Sequence, residues 1–182
     1  MSVPPEGAEG RSVGVDFSGG GFPPLKQMGL VLEDAEKSAG FMESVLGWGP
    51  FSFVEVEMND YRFRGERGNC VVKIALGQSG PVEIELIEVL RGDEANPYSA
   101  FLRDHGEGVQ HVRLDSPANG EGSLEDQLAE FAKHGVEPHF EVSLIWGEFE
   151  VDVAYLDARQ MCGLIVEVSG PPRMHRDSTA AG

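Results

Sequence analysis

The feature that most constrains this chain is a pattern of polar residues that occurs twice at matching places. Gln27 and His111 each begin an apolar stretch of strand length, and His111 follows Gln27 by 84 positions. Glu85 and Glu167 each lie inside such a stretch, 82 positions apart. Near-equal offsets indicate one unit present in two copies. Two copies that each supply two ligand-bearing side chains predict a shared site for one divalent ion.

Length and charge limit the classes of partner. A chain of 182 residues with 41% hydrophobic content can bury the core of one domain or of two fused half-domains. Its 31 acidic residues against 14 basic ones give a formal net charge of -17. This charge repels both a nucleic-acid backbone and an anionic membrane surface. We therefore expect a small molecule as partner, and neither nucleic acid nor a membrane.

Cysteine usage and the start of the chain indicate the compartment. The two cysteines, Cys70 and Cys162, lie in separate apolar stretches without a Cys-x-x-Cys motif, which predicts neither a disulfide framework nor a thiolate metal site. The first residues lack the basic and apolar regions of a signal peptide, and no stretch reaches transmembrane length. These observations predict a cytoplasmic protein.

Hydrophobic periodicity gives the same order of elements in both halves, a strand, a helix and three strands. The predicted parts are a βαβββ module over 25–92, a linking helix within 93–108 and a second βαβββ module over 109–170. The first helix runs from Asp34 to about Leu46. Strands are predicted over 51–58, 70–76 and 82–89 in the first half, and over 109–114, 140–145, 150–156 and 164–168 in the second. The stretches 1–24 and 171–182, rich in Gly, Pro or Ser, are predicted to be flexible tails.

Two helices carry clear end signals. Asn96 suits the N-cap of the linking helix, with Pro97 in its first turn and Gly106 at its end. Ser123 and Asp126 form the pattern of a capping box, which predicts the start of the helix in the second module.

Alternation along the strands predicts which way each polar side chain points. Neighbouring residues on a strand face opposite sides of the sheet. The apolar neighbours of Gln27, Glu85, His111 and Glu167 therefore face the helices, and these four candidate ligands face away from them. The same count places Lys73 and Arg113 on the polar face.

The chain is similar to a known family along three segments: 82–88 (VEIELIE), 97–111 (PYSAFLRDHGEGVQH) and 163–167 (GLIVE). These resemble the vicinal oxygen chelate superfamily, the glyoxalase and bleomycin-resistance group, and most closely its methylmalonyl-CoA epimerase branch. The resemblance covers roughly residues 25–170. It implies an α+β fold in which paired βαβββ modules build a cupped mixed or antiparallel sheet that holds a divalent metal.

Two positions depart from the epimerase pattern. Gln27 stands where the epimerases have a metal-binding His, and the resulting set of Gln, Glu, His and Glu resembles that of some glyoxalase I enzymes. Lys73 stands where the epimerases carry a catalytic Glu, which argues against two-base epimerisation of a methylmalonyl-type substrate.

These residues suit metal-assisted proton transfer. Gln27, Glu85, His111 and Glu167 offer oxygen and nitrogen ligands for Zn²⁺, Mn²⁺, Co²⁺, Ni²⁺ or Mg²⁺. Such an ion polarises a carbonyl group and stabilises the enolate formed when the α-proton is removed. By the resemblance, Glu167 acts as base, with Lys73 or Tyr155 as the opposing acid.

Further residues are candidates for contact with a substrate, and each has a structural alternative. Arg113 is a candidate substrate-binding residue or a partner of Glu83, and Phe51 and Phe53 line an apolar pocket or pack in the core. Lys73 alternatively forms a salt bridge with Glu85.

Three functions fit the sequence. The first is a metal-dependent isomerase or epimerase that acts on a carbonyl compound, and the second is a glyoxalase I-like lyase. The third is a non-catalytic binding or resistance protein of the same fold, whose cup holds an apolar ligand. Relatives pair modules across two chains, so we expect a homodimer.

Overall fold

The computed structural model describes residues 25–114 and 123–175. The predicted tail over 1–24 lies outside the described residues. The first half contains β1 (Leu25–Val31), α1 (Ala35–Phe41) continued by a π-helical turn (Met42–Leu46), β2 (Ser52–Phe63), β3 (Glu66–Ser79) and β4 (Val82–Gly92). After the linking helix α2 (Pro97–His105), the second half contains β5 (Gly108–Leu114), α3 (Leu124–Ala132), β6 (Pro138–Trp146), β7 (Phe149–Ala158), α4 (Arg159–Cys162), β8 (Leu164–Ser169) and β9 (Arg173–Met174).

One mixed sheet contains all nine of these strands and confirms the predicted α+β class with two βαβββ modules. The strand order is β6-β2-β3-β4-β1-β5-β8-β7-β9, and β6 also pairs with β7. The cupped sheet thereby closes into a barrel of eight strands, to which β9 is added. In each module the first and last strands are parallel, β1 with β4 and β5 with β8, while β1 and β5 join the modules in antiparallel fashion. The matching positions of the two copies therefore meet at the middle of the sheet.

Helix ends follow the sequence signals. The side chain of Asn96 accepts hydrogen bonds from the backbone N–H groups of Tyr98 and Ser99, which confirms it as an N-cap. Both hydrogen bonds of the capping box between Ser123 and Asp126 are present. Gly47 ends the π-helical turn in the left-handed conformation, with φ of 69°, which glycine adopts at little cost. No helix in the described part of the chain is long and apolar enough to cross a membrane.

Two strands are longer than the sequence predicts. β2 and β3 extend to a tight turn at Arg64 and Gly65, both with positive φ, so residues 59–69 lie largely in strands. The end of β2 pairs with the second module, with Arg62 opposite Glu141 and Phe63 opposite Phe140. This pairing across the modules stabilises a polar segment that local alternation does not identify as strand.

The prediction of a flexible tail from residue 171 is wrong for its first residues. Arg173 and Met174 form β9 against Glu150 and Phe149 of β7. The guanidinium of Arg173 contacts the carboxylates of Glu150 and Asp152, which attaches this segment to the barrel. Residues 176–182 lie outside the described part of the chain.

The core has three layers, one inside the barrel and one beneath each of α1 and α3. Inside the barrel, aromatic rings are in contact from Tyr98 through Phe140 to Tyr155, the first pair edge to face. α1 packs on the outer face of β4 and α3 on the outer faces of β7 and β8. α2 contributes Tyr98, which is 0% exposed, to the interior. The inside of the barrel contains a cleft that is lined by strand residues and by Tyr98.

Candidate metal centre

The four side chains that the repeat identifies lie on four adjacent strands at the centre of the sheet. Gln27 is on β1, Glu85 on β4, His111 on β5 and Glu167 on β8. Gly29 of β1 is paired with Glu85 on one side and with His111 on the other. The outer faces of these strands pack against α1 and α3, so alternation directs all four side chains into the barrel.

Three of the four side chains converge on one point. The Nε2 atom of His111 lies 3.2 Å from Oε2 of Glu85 and 3.0 Å from Oε2 of Glu167. One ligand atom from each of Glu85, His111 and Glu167 lies within 4.8 Å of the others. His111 is 1% exposed and Glu167 is 5% exposed. Two carboxylates and one imidazole, brought together away from water, form a donor set that suits a divalent cation.

Buried polar atoms without a hydrogen-bond partner indicate whether these residues suit a bound ion. In the described part of the chain, four buried side-chain atoms lack a hydrogen-bond partner, and three are Gln27 Oε1, Glu85 Oε2 and His111 Nε2. The short contact between His111 and Glu85 is thus not aligned as a hydrogen bond. A buried polar atom without a partner costs free energy, which a bound cation removes for ligand atoms. Three of the four predicted ligands therefore present an atom that a cation would satisfy.

Gln27 is the predicted ligand that the geometry supports least, because it lies outside the group of three converging side chains. Its side chain is 2% exposed, and its Nε2 donates a 2.6 Å hydrogen bond to Oε1 of Glu83. The amide group is oriented by this bond, and Oε1 is left available. Glu83 also accepts a 2.9 Å hydrogen bond from Arg113. Glu83 thus positions the amide group of Gln27, in addition to the pairing with Arg113 that the sequence suggests.

Gln110 supports His111 from the other side of the ring. The register of β1 and β5 shifts between the pairs Gly29–His111 and Leu30–Val109, which makes Gln110 the extra residue of a β-bulge. Its Oε1 lies 2.6 Å from Nδ1 of His111. An acceptor at Nδ1 holds the proton there in the neutral ring and leaves the Nε2 lone pair for a cation.

Replacing Gln110 with Ala is expected to lower the affinity for a divalent ion by about 10- to 100-fold, because an outer hydrogen bond orients the ligand ring. Isothermal titration of the chelator-treated protein with Zn²⁺ or Mn²⁺ measures this. Gln110→Glu keeps an acceptor at the same place and is the matched control, expected to retain binding. Equal affinities for the Ala variant and the unaltered protein would exclude the positioning role of Gln110.

Two carboxylates control the protonation of His111. Burial of the ring lowers its pKa, but the nearby carboxylates of Glu167 and Glu85 outweigh burial and raise the pKa from 6.5 to about 9. Burial acts to raise the pKa of Glu167, yet the contact with His111 and the charge of Arg113 leave it lowered. The ion-free protein therefore gains stability from the protonated ring below pH 6.5, and this contribution is lost as pH rises through about 9.

Binding of a divalent ion is expected to release this proton, because Nε2 cannot hold a proton and a cation together. Below pH of about 9 the apparent affinity should rise with pH, by about tenfold per unit. Calorimetric titrations in two buffers of different ionisation enthalpy give the number of protons released. Binding without proton release at neutral pH would show that the ion does not use Nε2.

Arg113 and Tyr155 border the cluster. Arg113 lies 2.9 Å from Glu83 and 3.9 Å from Glu167, so the salt-bridge alternative for Arg113 is present in the structure. The ring of Tyr155 packs edge-on against His111 with 5.0 Å between centroids. Burial and the charge of Glu167 raise the pKa of Tyr155 well above its ordinary value. Tyr155 is therefore a neutral hydrogen-bond donor beside the carboxylates.

Lys73 does not lie in the barrel, and its predicted face is wrong. Its ammonium group contacts Glu36 of α1 at 3.0 Å and Glu88 at 3.5 Å, on the helix side of β3. Its neighbour Ile74 faces the interior instead. The alternative pairing of Lys73 with Glu85 is also not observed. β3 is apolar on both faces here, so the polarity of its neighbours cannot indicate the face of Lys73.

Phe51 and Phe53 also lie outside the cleft, contrary to the predicted apolar pocket. Phe51 packs with Ala35, Ala39 and Ala75 beneath α1. Phe53 is 46% exposed, and alternation along β2 places it on the same outer side. Phe51 is thus a core residue, in agreement with its structural alternative.

The cleft has a polar and an apolar half-wall, and its volume is about 290 Å³. β4, β1, β5 and β8 form the polar half-wall, which carries the cluster. β3, β2, β6 and β7 form the facing half-wall, where Tyr155 lies among apolar side chains from Met58, Ile74, Leu76, Leu144, Trp146, Val151 and Val153. The polar and apolar half-walls are each built from four strands that are neighbours in the barrel. The sequence of a single strand therefore does not show to which half-wall it belongs.

Comparison with known proteins agrees with this architecture. Residues 26–143 match the model of the Glyoxalase/Bleomycin resistance protein/Dioxygenase superfamily. The chain belongs to this superfamily. The predicted vicinal oxygen chelate membership is thereby confirmed. A search of curated proteins finds no match to the chain.

Solved structures share the fold of this superfamily member at low sequence identity. A hypothetical protein from Bacillus halodurans C-125 is 21% identical with a TM-score of 0.53, over 84% of this chain and 96% of that one. Methylmalonyl-CoA epimerase from Mycobacterium tuberculosis is 20% identical with a TM-score of 0.53, over 81% and 87%. A Streptomyces coelicolor methylmalonyl-CoA epimerase variant in complex with 2-nitronate-propionyl-CoA is 17% identical with a TM-score of 0.54, over 82% and 95%. These similarities show that the chain has the same fold as the three solved structures.

Proposed function

We propose that this protein is a metal-dependent isomerase that moves a proton α to a carbonyl group. The observation that carries the proposal is the cluster of half-buried Glu85 with buried His111 and Glu167 at the polar wall of a cleft. Glu85 and His111 each present a ligand atom without a hydrogen-bond partner. Perturbed titratable groups that meet in a cleft are typical of catalytic sites. Superfamily membership supports a divalent metal in this place.

The residues that would hold the ion are Glu85, His111 and Glu167, with the amide oxygen of Gln27 as a fourth ligand. A divalent ion there supplies positive charge that polarises a carbonyl oxygen and makes the adjacent C–H group more acidic. Glu85 and Glu167 balance the charge of the ion. All four ligands come from one chain, so the proposed site does not require the homodimer, which stays a prediction.

Glu167 is the proposed base. Its pKa is lowered by His111 and Arg113 despite burial, so the carboxylate is ionised and able to accept a proton. Its Oε2 faces His111 at 3.0 Å, while its Oε1 lies 3.9 Å from Arg113. Tyr155 is paired with Glu167 in the register of β7 and β8 and is the proposed proton donor. Proton transfer by positioned groups of this kind contributes about 10²- to 10⁴-fold in rate.

The apolar half-wall argues for one base rather than two. Inversion at a carbon atom requires a proton donor on the face opposite the base. Among the described residues that line the cleft, Tyr155 is the titratable side chain that β3, β2, β6 and β7 provide. Its raised pKa keeps the hydroxyl protonated, so it cannot accept a proton from a carbon atom. In the proposed isomerase, Glu167 takes the α-proton while Tyr155 gives its proton to the carbonyl oxygen. Tyr155 takes this proton back when Glu167 returns its own to a carbon atom of the substrate, and Lys73 has no part in the reaction.

The test is proton exchange in D₂O. The protein, loaded with Zn²⁺, Mn²⁺, Co²⁺, Ni²⁺ or Mg²⁺, is incubated with a panel of ketones and acyl thioesters, and loss of the α-proton signal is followed by NMR. We expect exchange with at least one compound, its loss with a chelator and its return when the ion is restored. Tight ion binding without exchange in any compound would contradict the proposal and favour a binding protein.

Replacing Tyr155 with Phe is expected to slow this exchange by about 10²-fold or more, since a general acid is removed. The ring and its packing against His111 and Phe140 are kept, so metal content should be unchanged. Metal analysis beside the exchange assay separates the two effects. An exchange rate equal to that of the unaltered protein would remove Tyr155 from the mechanism.

A further inference from the structure

We propose that the substrate of this site is an uncharged carbonyl compound with an apolar group, and that the cleft excludes phosphate-bearing carriers such as coenzyme A. The reaction assigned to this substrate rests on the proposed function. The binding preference itself rests on the charges and the apolar wall of the cleft.

The charge balance of the cleft disfavours an anionic ligand. Its charged lining residues are the carboxylates of Glu83, Glu85 and Glu167 and the guanidinium of Arg113. Arg113 is engaged by Glu83 at 2.9 Å and lies near Glu167, so its charge is already neutralised. A divalent ion would leave the site close to neutral. Among the described residues that line the cleft, no cation remains to compensate the phosphates of a coenzyme A thioester.

Four further basic residues of the first half of the chain lie outside the cleft. Lys73 is bound to Glu36 and Glu88 on the outer side of β3. Arg67 pairs with Asp60 and, with Arg62, lines a separate groove between β2, β6 and α3. Arg64 lies over the ring of Phe63 near α2. None of these cations lines the cleft in the described part of the chain, and the formal net charge of -17 adds long-range repulsion of polyanions.

The apolar half-wall favours a ligand with an apolar group. Six aliphatic or thioether side chains face the cluster across the cleft, from Met58, Ile74, Leu76, Leu144, Val151 and Val153. Trp146 borders the same wall and is 45% exposed, a large apolar surface that a ligand can cover. A carbonyl group at the cluster therefore directs the rest of the substrate onto this wall, where burial of apolar surface stabilises the complex.

A matched pair of thioesters tests the preference. Butyryl-N-acetylcysteamine and butyryl-CoA present the same carbonyl and acyl groups, but only the second carries phosphates. The chain has two tryptophans, and Trp48 packs on the outer side with the core beneath α1. In a Trp48→Phe variant, the fluorescence of Trp146 therefore reports occupation of the cleft, whether or not the compound reacts.

We expect the neutral thioester to bind at least about tenfold more tightly than butyryl-CoA, and its affinity to rise about fourfold for each added methylene until the cleft is full. Replacing Trp146 with Ala should weaken the longer acyl chains most, measured by equilibrium dialysis. Equal or tighter binding of butyryl-CoA would overturn the inference, and so would an affinity that does not depend on chain length.

The outcomes also separate this inference from the proposed function. Binding of the neutral series without deuterium exchange contradicts the isomerase and leaves the ligand class standing. Exchange that occurs with butyryl-CoA but not with its neutral counterpart supports the isomerase and overturns the ligand class.

Discussion

Replacing Glu167 with Gln is expected to lower the affinity for a divalent ion by more than about 100-fold, beyond the effect of losing an outer hydrogen bond to a ligand. Gln has nearly the shape of Glu, so the packing of Tyr155 against the site is kept. What is lost is the charge 3.0 Å from His111 Nε2 that balances a cation at this point. Metal analysis after dialysis and calorimetric titration give the affinity, and the D₂O assay gives the exchange rate.

The same substitution removes the proposed base, so exchange should be lost even at saturating ion concentration. Glu130→Gln is the matched control, because Glu130 is an exposed residue of α3 that pairs with Lys133 far from the cleft. It should change neither the affinity nor the rate. If Glu167→Gln retained the ion within about threefold of the unaltered protein, the cluster would be an ion-paired triad around a protonated His111 rather than a metal centre.

The sequence predicts the position of the candidate ligands well, for a physical reason. The direct neighbours of Glu85 and Glu167 in sequence are apolar and pack beneath α1 and α3: Ile84, Leu86, Val166 and Val168. Alternation therefore directs both carboxylates to the opposite face of the sheet. The repeat also predicts that the two modules fold alike. Both pair their first and last strands in parallel, β1 with β4 and β5 with β8.

The same reasoning fails where both faces of a strand are apolar. In β3, Ile74 faces the interior while Ala75 packs beneath α1, and Lys73 shares the outer side with Ala75. An apolar cleft and a helix-packing face look alike in sequence. The division of the cleft into polar and apolar halves became visible only with the strand order.

Register is the second property that alternation cannot supply. The bulge that places Gln110 beside His111 depends on where β5 pairs with β1, and two successive polar residues in sequence do not indicate it. The pairing of β2 with β6, which closes the barrel, likewise depends on contacts between residues almost 80 positions apart, such as Arg62 with Glu141. Local sequence patterns indicate neither the bulge at Gln110 nor the pairing of β2 with β6.

Gly29 shows how closely this register fixes the candidate site. A Cβ atom added at this position would lie 2.0 Å from Cε1 and 2.4 Å from Nε2 of His111. The imidazole ring therefore lies directly against the backbone of Gly29, between the strands that carry Glu85 and Glu167. β1 is held by neighbours on both sides and cannot move away. Only a residue without a side chain allows Nε2 to reach both carboxylates.

Replacing Gly29 with Ala is thus expected to displace the ring, lower the affinity for a divalent ion by more than about 100-fold, and reduce stability by about 1–3 kcal/mol through overpacking. Calorimetric titration and urea unfolding measure the two effects. Gly40→Ala is the matched control. A Cβ atom there meets nothing within 4 Å, and Gly40 lies in α1, so Ala should raise stability by up to about 1 kcal/mol without changing ion binding.

A double-mutant cycle tests whether Gly29→Ala reduces stability through a clash with the His111 ring or through strain in β1. In a His111→Ala background the clash is absent, so Gly29→Ala should cost much less stability there, while ion binding stays lost. An equal cost in both backgrounds would place the strain in the strand. A Gly29→Ala variant that retained the ion would mean that Nε2 is not a ligand, and the two carboxylates would then have to hold the ion without the imidazole that the repeat places between them.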